Sequence, residues 1–348
     1  MDTLLKTYFP IIRTREEVLN LIGEKEKLTN LFESWSEEQQ EEFLDFCTGV
    51  KILYDSFFKE IFNPEYHAER LEELLSLLLE TKIRIKQILP NDSVRLADEY
   101  TLLITDIVIE TEDGRIANLE IQKIGYAFPG QRTACYSADL LLRQYKRVKD
   151  RKRSENKKFN YRDLKKVYTI VLFEKSTREF HEIPDKYLHY GEHIYDTGLK
   201  LETLQKSVLV ALDIFRKNIE NRSIENKLEA WLFLLSSDEP ERIMELLEKY
   251  PEFREIYEEV YQMCRNVEGI MSLFSKELEE MDRNTVSYMI EKLEAEVKAA
   301  EERAEQEKQE RKAAEERVKK EMEERERQIA ELQEKIKRLE SMKDEQQA

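Results

Sequence analysis

The sequence predicts a mixed α/β core, a helical appendage behind it, and a long charged helix at the C-terminal end. Three observations carry that prediction. Between residues 83 and 122 the pattern switches from helical period to strand-like segments. "VYTIVLF" at 167–173 is a short β-branched apolar run of the kind found in a fully buried strand. From about residue 285 onward the chain carries no Gly or Pro and is dense in charge. The expected segments are 1–50, N-terminal helices; 51–215, the α/β core; 216–288, a helical region; and 289–348, a long helix or coiled coil.

The elements justify themselves in order. Residues 11–50 read as amphipathic helices, with Thr14 and Glu17, and Ser36 and Gln39, at capping-box spacing. They serve either as a partner surface or as a helical lid on the core. "DSFFKEIF" and "YHAERLEELLSLLLE" repeat apolar residues at helical spacing, interrupted by Pro64. "KIRIKQIL" alternates charged and apolar residues as a half-buried strand does. "YTLLITDIVIET" and "RIANLEIQ" form the next two strands, and "QRTACYSADLLLRQYKRV" returns to helical period. After "VYTIVLF", "LQKSVLVALDIF" is either a last strand or the entry to a helix. "NKLEAWLFLLS", "EPERIMELLEKY" and "FREIYEEVYQMCRNVEGIMSLF" are helical.

In the tail, Leu293, Val297, Ala300 and Ala304 step by four and three, and Met322, Ile329, Leu332, Ile336 and Leu339 form a better seam. Glu307 and Arg311 interrupt the seam, and the step from Val318 to Met322 shifts its register. The tail is either a coiled coil that joins two copies or a solitary charged helix, with the coiled coil favoured over 318–342.

Composition narrows the function classes. The net charge of −17 opposes general coating of nucleic acid but leaves a local site open. Cys47, Cys135 and Cys264 are scattered and odd in number, unlike a disulfide framework, so a cytoplasmic protein is expected. The first residues lack the basic and apolar regions of a signal peptide. No apolar run approaches the ~18 residues a membrane span needs, and no membrane partner is expected. Neither GxxxxGK nor GxGxxG occurs, so no phosphate-cradling loop is present. His189 and His193 in "HYGEH" lack zinc-site spacing and read as structural or surface residues.

The chemistry concentrates in "ITDIVIETEDGRIANLEIQK", residues 104–123. Side chains alternate along a strand, so Asp106 shares a face with Val108 and Glu110, and Glu120 with Asn118 and Gln122. A two-residue turn at Asp113 and Gly114 would place Asp106 and Glu120 on opposite faces. A three-residue loop of Glu112, Asp113 and Gly114 sets Thr111 opposite Arg115 and Asp106 opposite Glu120. Gly114 stands at the left-handed position such a loop requires. The two carboxylates then lie side by side, unfavourably unless a cation sits between them. Mg²⁺ suits one or two carboxylates, several waters and a phosphate oxygen. The plain alternative is a hairpin with an acidic face beside Arg115 and Lys123.

An Asp on one strand followed by Glu-x-Lys on the next is the pattern of the PD-(D/E)XK nuclease superfamily. The chain more closely resembles the PD-(D/E)XK nuclease family transposases, also called recombination-promoting nucleases. The matching pieces are Asp55, Phe58 and Lys59 in "DSFFKEIF", Asp106 in "ITDIVIE", Glu120 and Gln122 in "LEIQ", Phe128, Arg132 and Tyr136 in "FPGQRTACY", and "VYTIVLF". Together they span roughly residues 50–215.

The resemblance implies a restriction-endonuclease-like core and a metal-dependent DNA endonuclease using Mg²⁺, or Mn²⁺, with an association with transposition and recombination. It assigns Asp106 and Glu120 to the metal and Gln122 to the attacking water. Gln122 stands where the superfamily has lysine, and glutamine brings no positive charge. Lys123 points to the other face unless a bulge intervenes. Lys59, one helical turn from Asp55, is the expected cation, or else half of a surface ion pair. Arg132, with Tyr136 four residues on, is either a phosphate contact at a helix start or an ordinary surface arginine.

The basic stretch 143–166, with Lys146, Arg147, Arg151, Lys152 and Arg153, is either a contact to the DNA backbone or a solvated loop. The alternative function is a nuclease fold without catalysis, acting in DNA binding or coiled-coil assembly.

Overall fold

The computed structural model describes residues 13–48, 50, 52–53, 55–89, 107–122 and 129–275, with residue 6 and scattered positions beyond 275. It divides into two compact units, Met1–Asp282 and Arg283–Ala348. In the second unit the described positions 297, 298, 308, 311, 322, 325 and 335 are helical and exposed. Most of the expected coiled-coil seam lies outside the described residues.

The helices described in full in the first unit begin with α1 (Arg15–Gly23), α2 (Glu26–Glu33) and α3 (Glu37–Cys47). Both expected capping boxes start their helices. Thr14 and Glu17 close one at α1, and Ser36 and Gln39 close the other at α3. Next come α4 (Asp55–Ile61) and α5 (Ala68–Leu78), and then the strands β1 (Ile85–Leu89), β2 (Ile107–Thr111) and β3 (Ile116–Gln122). The 26-residue helix α6 (Pro129–Ser154) crosses to β4 (Val167–Phe173). A short helix α7 (Arg178–His181), β5 (Leu188–Gly191) and β6 (Gln205–Ala211) follow. The helices α8 (Leu212–Ile219), α9 (Lys227–Ser236), α10 (Pro240–Lys249) and α11 (Phe253–Met263) come after, and residues 267–275 are helical as well.

Among the described residues, six strands form one mixed sheet in the order β1-β2-β3-β4-β6-β5. β3, β4 and β6 run parallel, while β1, β2 and β5 pair antiparallel with their neighbours. The segment left open between strand and helix is both: β6 runs directly into α8. β5 was not expected. It is a four-residue edge strand with no alternating pattern, and it exists because Leu188–Gly191 pairs with the already formed β6.

The two faces of the sheet differ. Ile107, Ile109, Ala117, Leu119, Ile170, Leu172, Val208 and Val210 point into one large core. Residues of α1–α5 and α8–α11 fill the other side of that core, so chain segments 18–50 and 212–274 share it. α9 is buried nearly all round, from Glu229 to Leu235, as a helix packed on several sides must be. The opposite face carries Val108, Ile116 and Val167 against Leu140 of α6, and Val171 and Phe173 against Phe180 and Ile214. Between those two apolar patches it is polar. No described helix is long and apolar enough to cross a membrane.

Candidate active site

The β2–β3 hairpin sets the geometry. Ile107 pairs with Leu119, Val108 with Asn118, Ile109 with Ala117 and Glu110 with Ile116. The turn is the three-residue loop. Thr111 N–H donates to the Arg115 carbonyl (2.9 Å), Gly114 N–H donates to the Thr111 carbonyl (2.9 Å), and Gly114 has φ of 85°. Thr111 and Arg115 hydrogen-bond to the Asp113 carboxylate inside the loop, which lowers its pKa despite partial burial. Gln144 of α6 fastens the turn from above. Its amide donates to the Gly114 carbonyl (3.1 Å), and its carbonyl accepts from Lys165 N–H (2.8 Å). One buried side chain thus ties the hairpin, the long helix and the approach to β4 together.

Asn118, Glu120 and Gln122 share the face beneath α6, and all three are buried. Parallel pairing sets Asn118 beside Thr169, Glu120 beside Val171 and Gln122 beside Phe173. Glu120 is 5 % exposed. Asn118 and Thr169 are fully buried, and among the described residues neither Asn118 amide atom nor the Thr169 hydroxyl has a hydrogen-bond partner. The carbonyl oxygen of Gln122 and the hydroxyl of Ser137, on α6, are also unsatisfied among the described residues. Buried polar atoms cost about 1–3 kcal/mol each when left unmade. A group of them converging under one helix therefore suits a hydrated seam rather than a dry core. Gln122 and Glu120 stand at its C-terminal end, where parallel strands of open α/β sheets present ligand sites.

Asp106, Lys123 and Phe128 lie outside the described residues, as does the side chain of Asp55. Lys59 is half-buried in the last turn of α4, whose Phe57, Phe58 and Ile61 enter the large core. Arg132 and Tyr136 are on one face, as their spacing requires. An Arg132 Nη donates to the Tyr136 hydroxyl (3.3 Å), and Tyr136 is buried.

The basic stretch is half helix: residues 143–154 finish α6, and only 155–166 form a loop with one 3-10 turn at Tyr161–Asp163. Several of its cations have structural partners. Arg143 pairs with Asp139 (2.6 Å), and Lys152 with Asp163 (2.9 Å). Arg147 donates to the Glu110 carboxylate (2.7 Å), and Arg151 approaches the same group (3.8 Å). Glu110 also accepts from Gln87 (2.6 Å) and Lys86 (3.3 Å). Burial pushes the Glu110 carboxyl up, but the Arg147 and Gln87 hydrogen bonds and the Arg147 and Lys86 charges outweigh it, and the pKa ends below its ordinary value. Lys146 and Arg153 are exposed and make no ion pair among the described residues.

The fold also gathers Ser176, His181 and Asp213, a set the sequence did not reveal because its members sit after different strands. Asp213 accepts from the Ser176 backbone and hydroxyl (3.1 Å each), and His181 Nε2 meets both Ser176 Oγ (3.2 Å) and Asp213 (3.1 Å). A nucleophile relay needs the carboxylate on one ring nitrogen and the serine on the other. Here both share Nε2, so the trio clamps the loop after β4 to the start of α8. His189 lies in β5 against the Phe180 ring.

A family model described as PD-(D/E)XK nuclease family transposase matches residues 52–288, more than half of the chain. The chain belongs to this family. Membership gives it a nuclease- and transposition-related function, and the mixed sheet with a helix-covered β3 is consistent with the PD-(D/E)XK fold. The match runs past residue 215 through α8–α11, the helices that share the large core with the sheet. No curated protein and no solved structure showed significant similarity to the chain.

Proposed function

We propose that the chain is a metal-dependent endonuclease that hydrolyses phosphodiester bonds of DNA, with Asp106 and Glu120 as its metal ligands. The observation that carries this reading is the hairpin register. Continued by one residue past Ile107–Leu119, it would oppose Asp106 to Glu120. Two carboxylates so placed call for a cation, and the unsatisfied carbonyl of Gln122 beside Glu120 fits a hydrated site. When bound, Mg²⁺ or Mn²⁺ would activate water and offset charge on the phosphodiester.

The chain's own residues do the rest. Gln122 accepts a hydrogen bond from the attacking water through its unsatisfied carbonyl and orients it. It supplies no charge, so positive charge comes from elsewhere, and Lys59 is the residue assigned to it. Arg132, steadied against Tyr136, contacts a substrate phosphate at the start of α6. Lys146 and Arg153 hold the backbone further along, while Arg147, Arg151 and Lys152 act mainly by fixing α6 and its loop in place.

The test is plasmid cleavage with Mg²⁺ or Mn²⁺ by wild type, Asp106→Asn, Glu120→Gln and Lys59→Ala. Wild type is expected to nick or linearise the plasmid, and either carboxylate variant to lose about a hundredfold or more. Wild type inert in both metals, or no better than Glu120→Gln, would remove the enzyme reading and leave a DNA-binding or coiled-coil assembly protein on a nuclease fold.

A further inference from the structure

We propose that Tyr145, Phe159 and Tyr161 form a stacking platform for unpaired nucleotides of single-stranded DNA. The proposal deepens the nuclease reading by naming a feature of its substrate. The three rings touch one another: Tyr145–Phe159 at 5.2 Å, edge to face; Phe159–Tyr161 at 5.3 Å, edge to face; and Tyr145–Tyr161 at 6.4 Å, stacked. Tyr145 and Phe159 are half-buried and hold the cluster in place. Tyr161 is 73 % exposed, more than anchoring the loop requires.

The platform is held ready. Asn160 and Asp163 close a reciprocal cap around the turn that carries Tyr161. Lys152 pins that turn to α6 through Asp163. Lys149 lies over the Tyr145 ring at 5.4 Å. Rings fixed in advance lose little freedom on binding.

Charge selects the ligand. Residues 143–166 hold twelve Lys or Arg against three acids, in a chain whose net charge is −17. Lys146, Arg153, Lys158 and Arg162 surround the rings in sequence, are exposed, and make no ion pair among the described residues. Exposed aromatic faces bordered by uncommitted cations are how proteins hold single strands, the rings taking the bases and the cations the phosphates. A duplex keeps its bases stacked inside, so it offers the cations a partner and the rings none.

Binding is measured by fluorescence anisotropy in EDTA, with labelled oligo(dT) of about 20 nucleotides, a duplex of equal length and oligo(U). Without divalent metal no cleavage occurs, so failure of the catalytic reading leaves this result untouched. Tyr161→Ala is expected to weaken oligo(dT) binding about tenfold, or about 1.4 kcal/mol, and duplex binding by less than about twofold. Tyr161→Phe keeps the ring and should bind like wild type.

Unchanged oligo(dT) affinity in Tyr161→Ala overturns the platform. Equal losses on single strand and duplex also overturn it, since they would mark damage to charge or to the turn. Thermal melting serves as the control: a lower Tm for Tyr161→Ala would assign the ring to the fold instead. Tighter binding of oligo(U) than oligo(dT), with the same dependence on Tyr161, would overturn the choice of DNA.

Discussion

Glu110 offers the sharpest test of how the site scaffold is held. It joins β1, β2 and α6 through one buried carboxylate. Glu110→Gln keeps the shape and removes the charge. Hydrogen bonds to a charged group contribute about 1.5–3 kcal/mol when desolvated. Arg147 and Lys86 are 39 % and 47 % exposed, so water screens their share. About 1 kcal/mol from Gln87, about 1 from Arg147 and a few tenths from Lys86 give a loss of about 2 kcal/mol. For a unit of this size that lowers Tm by about 4 °C.

The pH dependence follows from the direction of the pKa. The folded carboxyl titrates below its ordinary 4.5. Its stabilisation is therefore complete above that value and fades as pH falls through the lower folded pKa. Urea melts of wild type and Glu110→Gln should differ by about 2 kcal/mol at pH 7 and converge in acid once the pH falls below the lowered folded pKa. A gap under about 0.5 kcal/mol at pH 7, or one that persists unchanged in acid, would refute the reasoning.

Two other substitutions probe the hairpin and the seam. Gly114→Ala has room, since the added carbon would meet only Lys165 at 3.7 Å, but φ of 85° strains it. A loss of about 1–2 kcal/mol in urea melts is expected. Asn118→Leu replaces an amide that has no protein partner among the described residues, so stability should rise by about 1 kcal/mol in the same assay. If the seam holds water for the site, plasmid cleavage should fall at the same time.

The hairpin was legible because its evidence is local. Gly114 chose the loop, the loop chose the register, and alternation then placed Asn118, Glu120 and Gln122 on one face. The capping boxes at Thr14 and Ser36 were legible for the same reason. What escaped sequence reasoning depends on distant partners. Thr169 becomes the neighbour of Asn118 only through parallel pairing across a long crossover. Glu110 looked like one more acid on a strand until residues 86, 87 and 147 converged on it. The basic stretch announced its charge but not its division of labour, because Asp139, Glu110 and Asp163 decide which cations are consumed. β5 had no signal of its own.

The docking of the early helices on the late ones has a consequence for synthesis. Phe43 and Trp35 pack on Phe274 at ring distances of 5.3 and 5.0 Å, and Arg13 donates to the carbonyls of Cys264 and Arg265. Some 230 to 250 residues separate these partners. At about 5–20 residues per second, a ribosome needs roughly 10–50 s to supply the second half of that contact. Throughout that interval the Trp35 and Phe43 rings stand without the Phe274 ring that packs on them. The large-core face of the sheet cannot be enclosed until α9–α11 arrive, so nascent chains halted before residue 275 should be the ones that aggregate or recruit chaperones. A cell making this protein therefore sees its large core completed late in translation, and almost all at once.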